Sequence, residues 1–206
     1  MTDRFTRYDV YAVAGSRYCY PGTQVLRNRF HIRDAAALRA LEADLSAVRQ
    51  SGLLEQPIEG RFSARHLCRI HRYLLGDLYT FAGHYRTEDI AKGETRFLAH
   101  GQIRDKLPAL LAQLAQENHL RRLEADALTA RAAWYLAELN YIHPFREGNG
   151  RAIREFMRLL FRRCGYAVDW GAVPAETLLT AMERSVYDPS PLEHVLNQCL
   201  KKNRAE

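Results

Sequence analysis

The sequence predicts an all-α fold of about seven helices with one small β-hairpin. Three observations carry that prediction. Seven stretches place apolar residues at three- and four-residue steps, the mark of a helix burying one face. Capping and breaking residues, among them Asp34, Ser63, Pro144, Gly165 and Pro189, fall between those stretches. Residues 87–98 hold too few apolar side chains for a core helix, and Gly93 sits where a hairpin would turn.

Residues 1–33 form an aromatic, turn-rich arm with a turn at Pro21-Gly22. Asp34 is a candidate N-cap for the first helix, which carries Leu38, Leu41, Leu45 and Val48 inward and ends near Ser51-Gly52. Ser63 caps the second, with Leu67, Ile70, Leu74 and Leu78 at helical steps. Its His66 and His71 are five apart, on different faces, so they read as core or surface histidines and not as a metal pair. After the turn at Asp77–Gly83 and the hairpin, a third helix spans Ile103–Gln116, and Pro108 either lies in its first turn or kinks it. The fourth carries Leu128, Ala132, Tyr135, Leu136, Leu139 and Ile142 and must stop at His143, because Pro144 disfavours helical dihedrals before it. The fifth begins near Asn149 or Gly150 and carries Ile153, Phe156, Met157, Leu160, Phe161 and Cys164. Gly165 caps it, and Tyr166–Gly171 reads as an irregular connector. Leu178, Leu179, Met182 and Val186 mark the sixth; Leu192, Val195, Leu196 and Cys199 mark the seventh, beyond the break at Asp188-Pro189-Ser190-Pro191.

At 206 residues and 47% hydrophobic content, the chain suits one domain, 1–206, with a sizeable core. It has no apolar run of membrane-spanning length and no signal-peptide pattern at its start, so a cytoplasmic location is expected, its own or that of a cell into which it is delivered. Four scattered cysteines at no zinc spacing read as reduced filler. A net charge of +6 invites a nucleic-acid partner. The basic residues are interspersed with acids, however, and only Lys201-Lys202-Asn203-Arg204 forms a run, read as a frayed tail, so no direct nucleic-acid binding is expected.

The corner between the fourth and fifth helices, residues 143–154, concentrates chemistry. Gly148 and Gly150 permit backbone shapes closed to other residues, and the free N–H groups at a helix start favour an anion. Arg151 and Arg154 can reach phosphates above that start. Glu147 would repel phosphate unless a divalent cation such as Mg²⁺ bridges the two. His143 alone there titrates near neutrality, which makes it the candidate general base. Taken singly, each also reads as a helix-end residue, a surface turn or a solvated arginine; together they gather base, metal ligand, anion hole and two arginines within twelve residues.

His143-x-Phe145-x-Glu147-Gly148-Asn149-Gly150-Arg151-x-x-Arg154 resembles the Fic-domain signature HxFx[D/E]GNGRxxR at every defined position. The resemblance implies a Fic fold and a protein adenylyltransferase that moves AMP from ATP, with Mg²⁺, to a Tyr, Thr or Ser hydroxyl of a target protein. It further implies that His143 is the base, that Glu147 holds the metal, that Gly148, Asn149 and Gly150 bind phosphates through their backbone, and that Arg154 grips the γ-phosphate, with Arg151 nearby. Residues 87–98, by themselves either a charged surface hairpin or an edge for an extended partner segment, resemble the Fic flap that docks the target, with Lys92, Gly93, Glu94 and Thr95 at its tip.

Many family members are silenced by a helix with a [S/T]xxxE[G/N] pattern. Ser51–Gln56 departs from that pattern at Gln56. Glu55 is therefore not expected to inhibit, and the chain resembles the toxin half of a toxin–antitoxin pair, in which a separate small helical antitoxin supplies a Glu to Arg154. The alternatives are transfer of UMP, GMP, phosphocholine or phosphate, or a nucleotide-binding module without catalysis. Doc-like phosphate-transferring members carry Lys where this chain has Gly150, which argues against that branch.

Overall fold

A computed structural model describes residues 15–93 and 95–203. Among them are seven α-helices: α1 (Ala35–Glu55), α2 (Ala64–Leu75), α3 (Ile103–Gln116), α4 (Ala125–Ile142), α5 (Asn149–Arg163), α6 (Ala175–Arg184) and α7 (Ser190–Cys199). Two antiparallel two-stranded sheets accompany them, β1 (Ala91–Lys92) with β2 (Thr95–Arg96) and β3 (Tyr166–Val168) with β4 (Leu200–Lys202). The all-α expectation holds, and the hairpin lies where the sequence puts it.

α4 and α5 form the middle of the molecule. α4 packs on α7, α5 and α3, while α5 packs on α2, which in turn packs on α1. Both central helices are buried on more than one face, through Leu128, Leu136 and Leu139 on α4 and Ile153, Phe156 and Leu160 on α5. Full burial of such side chains is worth roughly 1.5–3 kcal/mol each, so the corner that joins the two helices is anchored at both ends. No helix among the described residues is long and apolar enough to cross a membrane.

The caps follow expectation. The Asp34 carboxylate accepts from Ala37 N–H at 2.7 Å, and the Ser63 hydroxyl accepts from His66 N–H at 3.3 Å. The boundaries and faces need correction in four places. α1 continues past Gly52 to Glu55, its last turn held by the bond from Gln56 N–H to Gly52 O at 2.8 Å and by burial of Leu53. Val48 is 70% exposed, and the inward positions of α1 belong to Leu38, Glu42, Ser46 and Leu53, because α1 turns towards charged groups on α5. α2 ends at Leu75, and Leu78 is buried from the turn beyond it.

The fourth correction concerns the carboxyl end. Tyr166–Val168 is a strand whose partner contains Lys201 and Lys202, so these lysines are paired backbone and not a frayed tail. Pro108 lies inside α3 and does not interrupt it. The expected turn at Pro21-Gly22 is present, with Cys19 and Leu26 bridged across it and both buried. Residues 1–14, Glu94 and residues 204–206 lie outside the described residues.

Candidate active site

α4 ends in a sharp reversal. Its C-cap, His143, adopts left-handed angles (φ 45°, ψ 62°) while its N–H still donates to Leu139 O at 3.1 Å. A non-glycine residue in that region costs on the order of 1 kcal/mol or more and persists only where its surroundings over-determine it. Here they do. The His143 carbonyl accepts from the Arg86 guanidinium, and the ring nitrogen Nδ1 lies 3.0 Å from Asn140 O. A carbonyl can only accept, so Nδ1 carries a proton, and in the neutral ring the lone pair lies on Nε2, the form a general base needs. Phe97 stacks on the imidazole with ring centroids 3.8 Å apart.

The loop after His143 is buried, residue by residue, through Asn149. Phe145 is stacked on His71 at 3.8 Å, and Asn149 staples the loop shut, accepting from Phe145 N–H and donating to Phe145 O, both at 2.8 Å. His71 Nδ1 accepts from Gly83 N–H at 2.8 Å, which leaves Nε2–H to donate to Glu147 O at 2.7 Å. Burial drives the His71 pKa down to about 3 despite its bond to the Glu147 carbonyl, so the ring is neutral at physiological pH. Arg146 donates to Glu88 at 3.0 Å, and Glu88 also accepts from Ser16 of the arm at 2.6 Å.

Gly148 opens α5 with φ 78°, and a Cβ there would stand 2.2 Å from Leu75 Cδ1. Only glycine meets both conditions. The first N–H groups of α5 have no intrahelical acceptor and carry the positive end of the helix dipole. At Gly150 a Cβ would lie 3.1 Å from Arg154 Nη1, so the bare backbone leaves that guanidinium and the helix start facing one space.

That space is a cleft lined by His143, Glu147, Gly148, Gly150, Arg151, Arg154, Lys92 and Thr95. Eight of the eleven sequence-predicted site residues therefore meet in one place. Of the other three, Asn149 turns its side chain into the loop, Gly93 is the exposed hairpin turn, and Glu94 lies outside the described residues. The cleft also has an apolar lining of Phe97, Leu179, Met182 and Val186, with Glu183 beside them. Asn140 on α4 fixes that lining by donating to Met182 O at 2.7 Å.

The Arg151 fork is tied to α1 as well as to Glu147. Nη1 donates to Ser46 at 2.6 Å and Nη2 to Glu42, with Glu147 a further 3.4 Å partner. Burial opposes its charge, but the Glu42 and Glu147 carboxylates outweigh burial and raise its pKa. Sequence reasoning missed Glu42, Ser46, His71, Arg86 and Phe97. A signal existed for two of these: Leu38, Glu42 and Ser46 repeat at four-residue steps, so a polar stripe shares the face of a buried leucine. No cluster of three or more His, Cys, Asp or Glu side chains suited to a metal occurs among the described residues. Magnesium does not need one, since it is held by one or two carboxylates with phosphates and water completing its shell. The Glu147 carboxylate beside an anion cradle fits that description.

The Fic/DOC family model matches residues 61–161. Protein adenylyltransferase VbhT of Bartonella schoenbuchensis is 38% identical over 196 residues; the alignment covers 95% of this chain and 40% of VbhT, so the chain spans well under half of that relative. The y4lH protein of Sinorhizobium fredii, named a probable protein adenylyltransferase, is 39% identical over 168 residues, 81% of this chain and 86% of that protein. In overall shape the chain is similar to the BepC protein of Bartonella tribocorum with bound AMPPNP (TM-score 0.82, 27% identity, covering 91% of this chain and 97% of the other).

Proposed function

This chain belongs to the Fic/DOC family, and on that premise we propose that it is a protein adenylyltransferase, which moves AMP from ATP to a Tyr, Thr or Ser hydroxyl of another protein. One observation carries the reading: an imidazole with its Nδ1 proton fixed by Asn140 O stands in the same cleft as an open helix start and Arg154.

The triphosphate lies on the first N–H groups of α5, with its terminal phosphate held by Arg154. Arg151, held on Glu42 and Ser46, adds positive charge beside the cradle. The nucleoside rests on the apolar lining of Leu179, Met182 and Val186. A target segment lies along the flap tip, where Lys92 and Thr95 line the cleft mouth. The target oxygen attacks the α-phosphorus in line, its proton passes to His143 Nε2, the bond from the α-phosphorus to the bridging oxygen breaks, and pyrophosphate leaves. Placement and charge stabilisation supply most of the acceleration. Glu147 would hold magnesium, which when bound neutralises charge on the phosphates.

The reading extends to regulation and place. Glu55, the in-chain candidate for an inhibitory carboxylate, is exposed at the end of α1 and does not line the cleft. We therefore expect a separate small helical antitoxin to supply a Glu to Arg154, with this chain acting as the toxin in a cytoplasm. Incubation with cell lysate and α-labelled ATP tests the activity: a labelled protein band and a mass gain of about 329 Da, roughly the residue mass of AMP, are expected. Transfer of a γ-label instead would mean phosphate transfer, and no label from either position would overturn ATP as the donor and leave transfer of UMP, GMP or phosphocholine, or a binding module.

A further inference from the structure

Arg86 is 2% exposed, yet it belongs to no motif and no helix. Its guanidinium donates through Nε to His143 O at 2.9 Å, through Nη1 to Glu88 O at 2.8 Å, and through Nη2 to Leu98 O and to Ile142 O, the last at 3.3 Å. Its own N–H donates to Pro144 O at 2.9 Å. Glu88 precedes β1 and Leu98 follows β2, so one side chain binds both legs of the flap. Ile142 and His143 close α4, where the carbonyls carry the negative end of the helix dipole.

Two further contacts reinforce the junction. Leu98 N–H donates to Tyr141 O at 3.0 Å, and Phe97 stacks on the His143 ring. Only the planar guanidinium has enough donors in a fixed fork to serve carbonyls on three segments; an ammonium offers three from one point.

We infer that Arg86 is a positioning residue, a clamp that registers the target-docking flap against the general base. This rests on the adenylyltransferase reading and deepens it. A target segment laid on the flap has its hydroxyl held at a set distance from His143 only if flap and base move as one body. ATP, by contrast, lies on α5 and does not touch the clamp.

Arg86→Lys and Arg86→Met test it, assayed with the lysate protein that labelling identifies. The clamp predicts a kcat lower by about 10-fold or more in Arg86→Met with a raised KM for the target protein, partial recovery in Arg86→Lys, and ATP affinity within about 3-fold of wild type in both, since misplacement of about 1 Å can cost about 100-fold in rate. Wild-type kcat in both variants, or ATP affinity that falls in proportion to kcat, overturns it. Amide hydrogen exchange on the unmutated protein decides the matter even where a variant does not fold. The Arg86 and Leu98 amides should exchange as slowly as the middle of α4, with residues 91–96 much faster; legs as fast as the tip overturn the clamp. An unmutated protein that transfers no AMP sinks the adenylyltransferase reading, and the exchange pattern still tests the clamp on its own.

Discussion

The two irregular segments that meet at the cleft are built in opposite ways. Residues 143–149 are buried throughout, and Asn149, His71, Arg86 and Arg146 tie them to the rest of the molecule. The flap is two strands of two residues each, paired only at Ala91 with Arg96 and Lys92 with Thr95, and half-buried at most. A loop inside a core needs partners for its backbone carbonyls, and this one draws on two buried side chains from distant segments, His71 for Glu147 O and Arg86 for His143 O. A hairpin that short has almost no stability of its own. The contrast matches the division of labour proposed above: phosphorus chemistry needs fixed distances, while docking of a protein segment through backbone bonds tolerates an adaptable edge.

The largest expected effect is on catalysis. His143→Ala should lower the rate of label transfer by about 10²–10⁴-fold, the usual worth of a positioned general base, with nucleotide affinity unchanged by titration. Near-normal transfer would take His143 out of its role. Next comes a pair of glycines that sets loop against flap. Gly148→Ala combines a left-handed backbone with a Cβ 2.2 Å from Leu75 and should cost roughly 2–4 kcal/mol in urea unfolding. Gly93→Ala, also at positive φ but with nothing within 4 Å, should cost only about 1 kcal/mol. Equal costs would erase the contrast.

A third effect lies in pH. The His71 pKa is lowered to about 3 from 6.5, so the unfolded chain takes up a proton that the folded loop refuses. Its contribution is fully present above pH 6.5 and is lost as pH falls, by up to about 1.4 kcal/mol per unit. His66, depressed first by burial, acts in the same direction. Glu117, held at about 2 chiefly by its bond with Arg131, adds its own loss only below its ordinary value of 4.5. Urea unfolding between pH 6.5 and 5 therefore isolates the histidines, and a flat profile there would show that the loop accepts a charged ring. The smallest effect is at the flap. Lys92 reaches Glu183 at 3.4 Å in a partly exposed pair, and Lys92→Ala should change stability by less than about 1 kcal/mol. A larger loss would show that the flap is not the loosely held edge described here.

The helices were legible because apolar spacing and caps act within a few residues. Leu136 and Leu139 on α4 and Phe156 and Leu160 on α5 repeat at helical steps and are buried, and Pro144 stops α4 wherever the chain goes next. The signature residues were legible for a similar reason, since the eight residues from His143 to Gly150 are consecutive and close the corner between α4 and α5. Val48 misled because its step fits the apolar face of α1, while the partner of that face is Arg151 on α5, 105 residues from Ser46. β3 escaped because three residues of edge strand have no periodicity to read, and its partner, Leu200–Lys202, lies beyond two intervening helices.

By itself the sequence determined the seven helices, the break at His143, the glycine-opened start of α5 and the set of groups gathered there, because each follows from forces between near neighbours. The tertiary structure alone decided that Arg151 turns to Glu42 and Ser46, that His71 stays neutral beneath the loop, and that Arg86 joins the flap to the His143 carbonyl. The physical reason is that a buried charge or imidazole takes whichever partner the packing brings within about 3 Å, and no spacing along the chain encodes which distant segment that will be.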